Sequence, residues 1–165
     1  MRQWLVDYSR GDNLNAFWRL FFWRSRTKRK WLRDVQTLFL SRMAHRHGGY
    51  VGIEAAFGGR PRLPHGLHGV YISRFASVGR DCCIYQNVTI GEIGRAAPRI
   101  GDRCLIGAGA ILVGGITIGS DVKIGAGAVV HTDVPDGSTV VPGAARILKR
   151  REAHEAGARH GAGVD

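Results

Sequence analysis

The chain has 165 residues, enough for one domain with a buried core, and its 24 Lys and Arg outweigh 13 Asp and Glu to leave a net charge of +11. A hydrophobic fraction of 44% excludes a wholly disordered basic tail, and no apolar run is long enough to span a membrane. With three cysteines and no recognisable signal peptide, we expect a cytoplasmic protein without a disulfide framework.

Residues 1–49 are predicted to form a short helical segment. Apolar residues follow a period close to 3.6 in residues 13–23 and again in residues 27–47, and Gly48 and Gly49 then end the second helix. The apolar side chains assigned to one face of the second helix are Trp31, Leu32, Val35, Leu38, Phe39 and Met43. We expect the aromatic side chains of both helices to pack on the rest of the protein.

Six basic residues fall within ten positions at the junction of these helices. They are Arg24, Arg26, Lys28, Arg29, Lys30 and Arg33. The simplest interpretation is a solvated polar surface. The alternative is a peripheral contact with the inner face of a membrane, because basic charge beside tryptophan is typical of interfacial helices. Nucleic acid is not expected as a partner, because the aromatic residues follow helical core spacing instead of alternating with basic residues.

The middle of the chain repeats with a period of six residues. The repeat positions are all aliphatic: Ile72, Val78, Ile84, Ile90, Ile100, Ile106, Leu112, Ile118, Ile124 and Val130. A helix or a lone strand does not produce this period, whereas a coil of three short strands does, with one inward side chain per strand. We therefore predict a mainly β chain with a parallel β-helix over residues 50–148, turning at its glycines, and a polar tail over residues 149–165.

The repeat is interrupted once, between Ile90 and Ile100, by four extra residues. Residues 91–99 are therefore predicted to leave the β-helix as a loop. Such insertions in repeat proteins often lie on the functional face.

Several motifs in this region resemble the hexapeptide-repeat acyltransferases. They are LPHG (63–66), IYQNVTIG (84–91), IGAGA (106–110), IGAGAVV (124–130), DVP (133–135) and PGAARI (142–147). The nearest branch is serine acetyltransferase, with its short relatives that acetylate sugars in exopolysaccharide or capsule synthesis. The resemblance implies a left-handed parallel β-helix, a homotrimer, and acetyl-CoA as acyl donor in the groove between neighbouring subunits.

Acetyl transfer to a hydroxyl requires a general base, for which a histidine is suited because its pKa lies near the working pH. The resemblance assigns this role to His65, with His68 as the alternative base or as an acceptor contact. The acid that orients the histidine in the family lies about fifteen residues upstream, where this chain has Tyr50. Glu54 is the nearest carboxylate and is the predicted substitute. No third metal-ligating residue follows the spacing of His65 and His68, so no metal is expected.

For acetyl-CoA, the resemblance implies backbone contacts at Gly91, Ala108 and Ala126, and basic contacts at Lys123 and Arg146. Small residues at the first three positions also have a simpler explanation, which is the geometry of the β-helix corners.

For the acceptor, the candidate contacts besides His68 are Glu92 and Arg95. The loop at residues 91–99 is short and lacks the histidine of serine acetyltransferases, and the helical segment is short as well. These departures favour a sugar hydroxyl as acceptor, with serine as the alternative. A non-catalytic hexapeptide-repeat scaffold is the second alternative.

Overall fold

The computed structural model describes residues 14–143, which form two helices followed by a parallel β-helix. The helices are α1 (Asn15–Arg26) and α2 (Lys30–Arg46). The strands are β1 (Tyr50–Val51), β2 (Ala56–Phe57), β3 (Tyr71–Ile72), β4 (Ser77–Val78), β5 (Cys83–Ile84), β6 (Thr89–Gly91), β7 (Arg99–Ile100), β8 (Leu105–Ile106), β9 (Ile111–Val113), β10 (Thr117–Ile118), β11 (Lys123–Ile124), β12 (Val129–Val130) and β13 (Thr139–Val140).

The strands form three parallel sheets that the chain visits in turn. Sheet A contains β1, β3, β6, β9 and β12, sheet B contains β2, β4, β7 and β10, and sheet C contains β5, β8, β11 and β13. Ile72 pairs with Ile90, and Ile106 pairs with Ile124, each partner lying one coil of 18 residues further along the chain. The predicted parallel β-helix, preceded by a short helical segment, is confirmed.

The core of the β-helix is the set of side chains that the six-residue period identified. All ten repeat positions are at most 4% exposed. Smaller inward residues, among them Ala76, Cys82 and Val122, fill the corners between them and are also buried. Each coil thus stacks its aliphatic side chains on those of the next, and this burial is the main stabilising contribution.

The first coil precedes the regular repeat, and its irregular length left its repeat positions unassigned in the sequence. Val51 pairs with Ile72 and Phe57 with Val78, and Arg62 forms an isolated parallel bridge with Cys83. The two residues of each pair are 21 positions apart in the chain, three more than in a regular coil of 18 residues. The extra residues lie between Arg62 and β3, in the segment that holds the predicted base.

Helix α1 packs on this first coil as predicted. Phe17, Trp18 and Phe21 are buried, and the rings of Trp18 and Phe21 lie 5.1 Å and 5.4 Å from the ring of Phe57 in an edge-on arrangement. Such aromatic contacts add to the free energy gained by burial. The N-terminal segment is therefore attached to the β-helix by an aromatic cluster.

The expectation that the aromatic residues of α2 also pack on the protein was wrong. The helix buries Gln36, Leu40 and Ala44, while Trp31, Val35, Leu38 and Phe39 are exposed to solvent. The predicted apolar face thus lies mainly on the solvent side of the helix, and the side that contacts the protein is the opposite one.

The junction of the helices is held by Arg24, which is buried in spite of its charge. Its Nε donates a hydrogen bond to Thr37 Oγ1 at 2.7 Å, and a terminal guanidinium nitrogen donates to the carbonyl oxygen of Ile53 at 2.9 Å. Burial lowers the pKa of Arg24, although these bonds satisfy the group. Of the six clustered basic residues, Arg24 is thus a structural residue.

No helix in residues 14–143 is long and apolar enough to cross a membrane. Cys82, Cys83 and Cys104 are buried free thiols.

We predict that acid destabilises the corner between sheets B and C through Asp102. Its Oδ1 accepts a hydrogen bond from the backbone N–H of Arg80 at 2.7 Å, and this bond lowers the pKa of the carboxyl in the folded state. The carboxylate therefore stabilises the fold above its unfolded pKa of about 3.9, and this contribution is lost as the pH falls through the lower folded pKa.

Replacing Asp102 by Asn removes the titrating group. We expect Asp102→Asn to lower the thermal midpoint at pH 7 and to reduce the drop in midpoint between pH 7 and pH 3. An unchanged drop would contradict this role. Asp34→Asn, at an exposed helix position, is the matched control.

Candidate active site

The predicted base lies at the edge where sheet C meets sheet A, which we call the C–A edge. Within residues 14–143 the chain crosses this edge four times, at residues 63–70, 85–88, 107–110 and 125–128. The second, third and fourth crossings are short turns of successive coils. The first is the three-residue insertion and carries both His65 and His68.

Two consecutive tight turns shape the first crossing. The N–H of Gly66 donates to the carbonyl of Leu63, and the N–H of Val70 donates to the carbonyl of Leu67. Gly66 and Gly69 have positive φ, which glycine adopts at little cost. The intervening Leu67 is fully buried and anchors the segment. The histidine before each glycine therefore remains exposed on a fixed backbone.

His65 and His68 are linked within this segment. The Nδ1 of His68 lies 2.6 Å from the carbonyl oxygen of His65, so Nδ1 carries the hydrogen and donates. The carbonyl of His68 in turn accepts from the N–H of Asn87 in the next coil at 2.9 Å. The first crossing is thus tied to the second through backbone positions.

The second crossing places Tyr85 beside the predicted base and Gln86 next in the chain, and the sequence reasoning missed both residues. The ring of Tyr85 lies 6.0 Å from the ring of His65, and its plane is tilted by 48°. The side-chain oxygen of Gln86 is buried and has no hydrogen-bond partner among residues 14–143. A buried acceptor of this kind is suited to an N–H or O–H of a ligand. Residues of the first coil pair with residues 21 positions later, and this spacing would have predicted that His65 and Gln86 lie at equivalent positions of neighbouring coils.

Ala108 and Ala126 continue the same edge. The N–H of Gly109 donates to the carbonyl of Gln86, and the N–H of Gly127 donates to the carbonyl of Ala108, so the crossings stack in register. Asn87, Gly109 and Gly127 occupy equivalent positions with φ of +57°, +68° and +70°. Backbone conformation therefore accounts for the two glycines, and the small alanines between them leave the edge open.

The other residues predicted to contact acetyl-CoA are not all at this edge. Lys123 is exposed on the outer side of sheet C, three residues before Ala126. Gly91 ends β6, on the far side of sheet A from the C–A edge. Arg146 lies outside the described residues. Lys123, Ala108 and Ala126 thus share one side of a single chain, and Gly91 does not.

The predicted acceptor residues Glu92 and Arg95 lie at the edge between sheets A and B. The predicted loop at residues 91–99 is present as a small hairpin, in which Ile93 and Ala96 exchange backbone hydrogen bonds of 2.9 Å and 3.1 Å. Arg95 is exposed at its tip. Within one chain a strand of sheet A, roughly 10 Å at about 3.3 Å per residue, separates these residues from His65 and His68.

Glu92 is held at the base of this hairpin as an ionised carboxylate. A hydrogen bond from the hydroxyl of Ser73, followed by its own backbone N–H, lowers the pKa of Glu92. Its second oxygen is buried and lacks a hydrogen-bond partner among the described residues. Glu92 therefore offers a negative charge with an unused acceptor atom.

Glu54, the predicted partner of the base, is also at the edge between sheets A and B. Its Oε2 lies 3.4 Å from Nε of Arg74, and both side chains are about half exposed. In a single chain the Glu54 carboxylate is thus paired with Arg74, at a different edge from His65.

Tyr50 occupies the position at which the resemblance implies an acid that orients the histidine. It forms an aromatic pair with Tyr71. The two rings are stacked with centroids 5.0 Å apart, and each residue is about two-fifths exposed. They line a cleft of about 430 Å³ with His45, Gly49 and Gly69. The cleft also includes Val70, so an open aromatic surface adjoins the end of the first crossing.

No group of three His, Cys, Asp or Glu side chains in residues 14–143 is placed to bind a metal ion.

Residues 97–132 match the family described as Bacterial transferase hexapeptide (six repeats). A serine acetyltransferase from Staphylococcus xylosus is 43% identical over 81 residues, which cover 44% of this chain and 37% of that protein. A serine acetyltransferase from Mycobacterium tuberculosis is 44% identical over 71 residues, covering 41% of this chain and 31% of that protein. This chain therefore spans well under half the length of these relatives.

The solved structures that align with this chain are also serine acetyltransferases. Soybean serine acetyltransferase aligns with a TM-score of 0.64 at 34% identity, over 78% of this chain and 52% of that one. The Neisseria gonorrhoeae enzyme aligns with a TM-score of 0.62 at 38% identity, over 72% and 48%. The matches are consistent with a left-handed β-helix of hexapeptide repeats, and the matched proteins are serine acetyltransferases. They give no specific support to the exopolysaccharide branch.

Proposed function

We propose that this protein is an O-acetyltransferase that moves the acetyl group of acetyl-CoA to a hydroxyl of a small acceptor. The single observation that carries the proposal is the arrangement of the C–A edge. An exposed histidine, His65, lies on a fixed turn there, and the small residues Ala108 and Ala126 follow at the later crossings of the same edge. The names of the relatives support acetyl transfer and make L-serine the acceptor with the strongest support.

In the proposed mechanism His65 is the general base. As the acceptor hydroxyl attacks the thioester carbonyl of acetyl-CoA, a ring nitrogen of His65 takes the hydroxyl proton. The tetrahedral intermediate then collapses, the carbon–sulfur bond breaks, and the proton passes to the CoA thiolate. The bond from His68 to the His65 carbonyl and the contact with Tyr85 support this role because they restrict the position of His65.

The donor is proposed to lie along the C–A edge, past Ala108 and Ala126, with Lys123 and Arg146 near its phosphates. Gly91 lies at the other edge of sheet A and is proposed as a further backbone contact only from a neighbouring subunit. Acetyl-CoA has amide N–H groups along its pantetheine arm. The unpartnered oxygen of Gln86 supports a ligand of this kind because it lacks a donor.

We predict that filling the edge weakens donor binding. Ala126→Phe is expected to raise KM for acetyl-CoA at least about tenfold, with a smaller effect on kcat, because a bulky ring would occupy the groove without touching the base. Ala56→Phe, at an exposed position on sheet B, is the matched control. Equal KM values for the wild type and Ala126→Phe would contradict the proposed donor site.

The protein is further proposed to act as a homotrimer in the cytoplasm. The outer side of sheet A supports subunit contact, because Ile111 and Val129, which pair with each other in β9 and β12, leave apolar side chains exposed in a single chain. Contact between subunits would bring the edge with Glu54, Glu92 and Arg95 of one chain toward His65 of another. This arrangement would allow Glu54 to orient His65 and the other two residues to hold the acceptor.

A sugar hydroxyl is the second candidate acceptor. The specific observation that favours it is the open Tyr50–Tyr71 pair beside the His65 segment, since an aromatic face suits the apolar side of a sugar ring. Thiol release from acetyl-CoA, measured against L-serine, simple sugars and nucleotide sugars, decides between the acceptors. If none of these acceptors raises the rate of thiol release above the rate measured without acceptor, a non-catalytic scaffold is favoured.

A further inference from the structure

Helix α2 presents an apolar surface that nothing in residues 14–143 covers. Trp31, Val35, Leu38 and Phe39 are 64%, 44%, 63% and 58% exposed, and their spacing places them on one side of the helix. The opposite side, with Gln36, Leu40 and Ala44, is buried against the protein. We call the exposed side the α2 apolar face. Four large apolar side chains side by side on a helix indicate a binding surface.

The charge around this face is strongly positive. Residues 14–49 contain nine Lys and Arg and one acidic residue, Asp34, so this segment carries +8 of the total +11. The exposed basic residues are Arg19, Arg26, Lys28, Arg29, Lys30, Arg33, Arg42 and Arg46. Trp23, 57% exposed, lies at the end of α1 beside them. The partner must therefore be both apolar at its centre and negatively charged at its rim.

We propose that α1 and α2 attach this protein to the surface of a phospholipid bilayer that contains anionic lipids. The α2 apolar face inserts among the acyl chains at the headgroup level, with the axis of α2 in the plane of the membrane. The basic side chains contact lipid phosphates, and Trp23 and Trp31 lie at the interface. The inference goes beyond the proposed acetyl transfer and does not depend on it.

The charge also disfavours a second copy as the occupant. Two copies meeting through this face would bring two segments of +8 together, with Asp34 as the one acidic residue of residues 14–49 on each side. A nucleic acid would satisfy the charge but would leave Leu38 and Phe39 in water. An anionic bilayer satisfies both requirements.

Sedimentation of the full chain with vesicles tests the proposal, without acetyl-CoA or acceptor. We expect binding to vesicles of phosphatidylcholine mixed with phosphatidylglycerol, weak binding to phosphatidylcholine alone, and loss of binding as salt rises. Trp31→Ser/Leu38→Ser is expected to weaken binding at least about tenfold. Ile93→Ser/Val141→Ser removes two exposed apolar side chains elsewhere and is expected to bind like the wild type.

A charge variant keeps the test decisive if the apolar variant misfolds. Lys28→Gln/Arg29→Gln/Lys30→Gln alters exposed residues at the junction of the helices. It is expected to lower the affinity for anionic vesicles about 100-fold, because each basic residue near an anionic surface contributes about fivefold to the affinity. Circular dichroism and the thermal midpoint check that each variant is folded.

Several results would overturn the proposal. They are equal binding to neutral and anionic vesicles, no binding to either, and unchanged binding by both folded variants. A fourth is a lower oligomeric mass of Trp31→Ser/Leu38→Ser in the absence of lipid, which would make the face a contact between copies. Binding to duplex DNA or RNA that exceeds binding to anionic vesicles would assign the surface to nucleic acid.

Discussion

Replacing His65 by Ala is expected to lower kcat for acetyl transfer by about 10²- to 10⁴-fold, the range that removal of a positioned general base produces. The acceptor hydroxyl would then have to lose its proton to water during attack. KM for acetyl-CoA should change little, because the donor is proposed to bind further along the C–A edge. Thiol release at saturating donor measures this loss.

The pH dependence provides a second readout for the same variant. In the wild type, kcat/KM should rise with pH, because only a neutral imidazole can accept the proton of the acceptor hydroxyl. In His65→Ala this rise should be absent from the residual activity. A loss of fold alone would lower the rate without changing the profile.

Two control variants make the assignment specific. His131→Ala removes an exposed histidine at another edge and should retain activity. His68→Ala removes a neighbour that donates to the His65 carbonyl, so a smaller loss than that of His65→Ala is expected. Full activity of His65→Ala together with an inactive His68→Ala would transfer the role of base to His68.

The second large effect concerns stability. Ile106→Ala is expected to lower the free energy of unfolding by about 2 to 5 kcal/mol, the range for truncating a buried isoleucine. Ile106 is fully buried and lies between Ile84 and Ile124 of the neighbouring coils, so a cavity there removes contacts on both sides. Urea unfolding followed by circular dichroism measures the loss.

The matched control for the core is Ile93→Ala. Ile93 is 66% exposed in the hairpin loop, and its truncation should change the free energy of unfolding by no more than about 0.5 kcal/mol. Ile106→Val removes one methyl group and should give an intermediate loss of about 0.5 to 1.5 kcal/mol. Equal losses for Ile106→Ala and Ile93→Ala would contradict the stacked core.

The β-helix was predictable because its packing repeats along the sequence. Each six-residue step fixes one inward side chain, and the four extra residues after Ile90 mark the hairpin loop. The first coil falls within the predicted β-helix, but its repeat positions were not assigned, although Val51, Phe57 and Leu63 follow the same period. The three extra residues after Leu63 shift the phase, and the pattern resumes only at Ile72.

The helices show why periodicity alone is insufficient. It grouped Trp31 and Phe39 on one face of α2 and left out Leu40, because it could not tell which side of the helix has a neighbour. Leu40, on the face toward the protein, is buried, whereas Trp31 and Phe39 face solvent. The difference arises from where α1 and the first coil lie, which is tertiary information that no local pattern contains.

The candidate site was predictable only in part, for a related reason. His65, Ala108 and Ala126 share one edge because the repeat puts equivalent positions of successive coils above one another. The contact of His65 with Tyr85 depends on the offset of the first coil. Glu54 and Glu92 lie at another edge of the same chain, since sequence distance does not indicate which side of a three-sided coil a residue occupies.

The most direct test of the account is mass spectrometry of the acceptor after incubation of the full chain with acetyl-CoA. The acceptors are L-serine, simple sugars and nucleotide sugars, and CoA thiol is measured in the same samples. We predict an acetyl ester on one acceptor, formed in equal amount with CoA by the wild type and not by His65→Ala. Intact acetyl-CoA and unmodified acceptors throughout, with a folded protein, would contradict it.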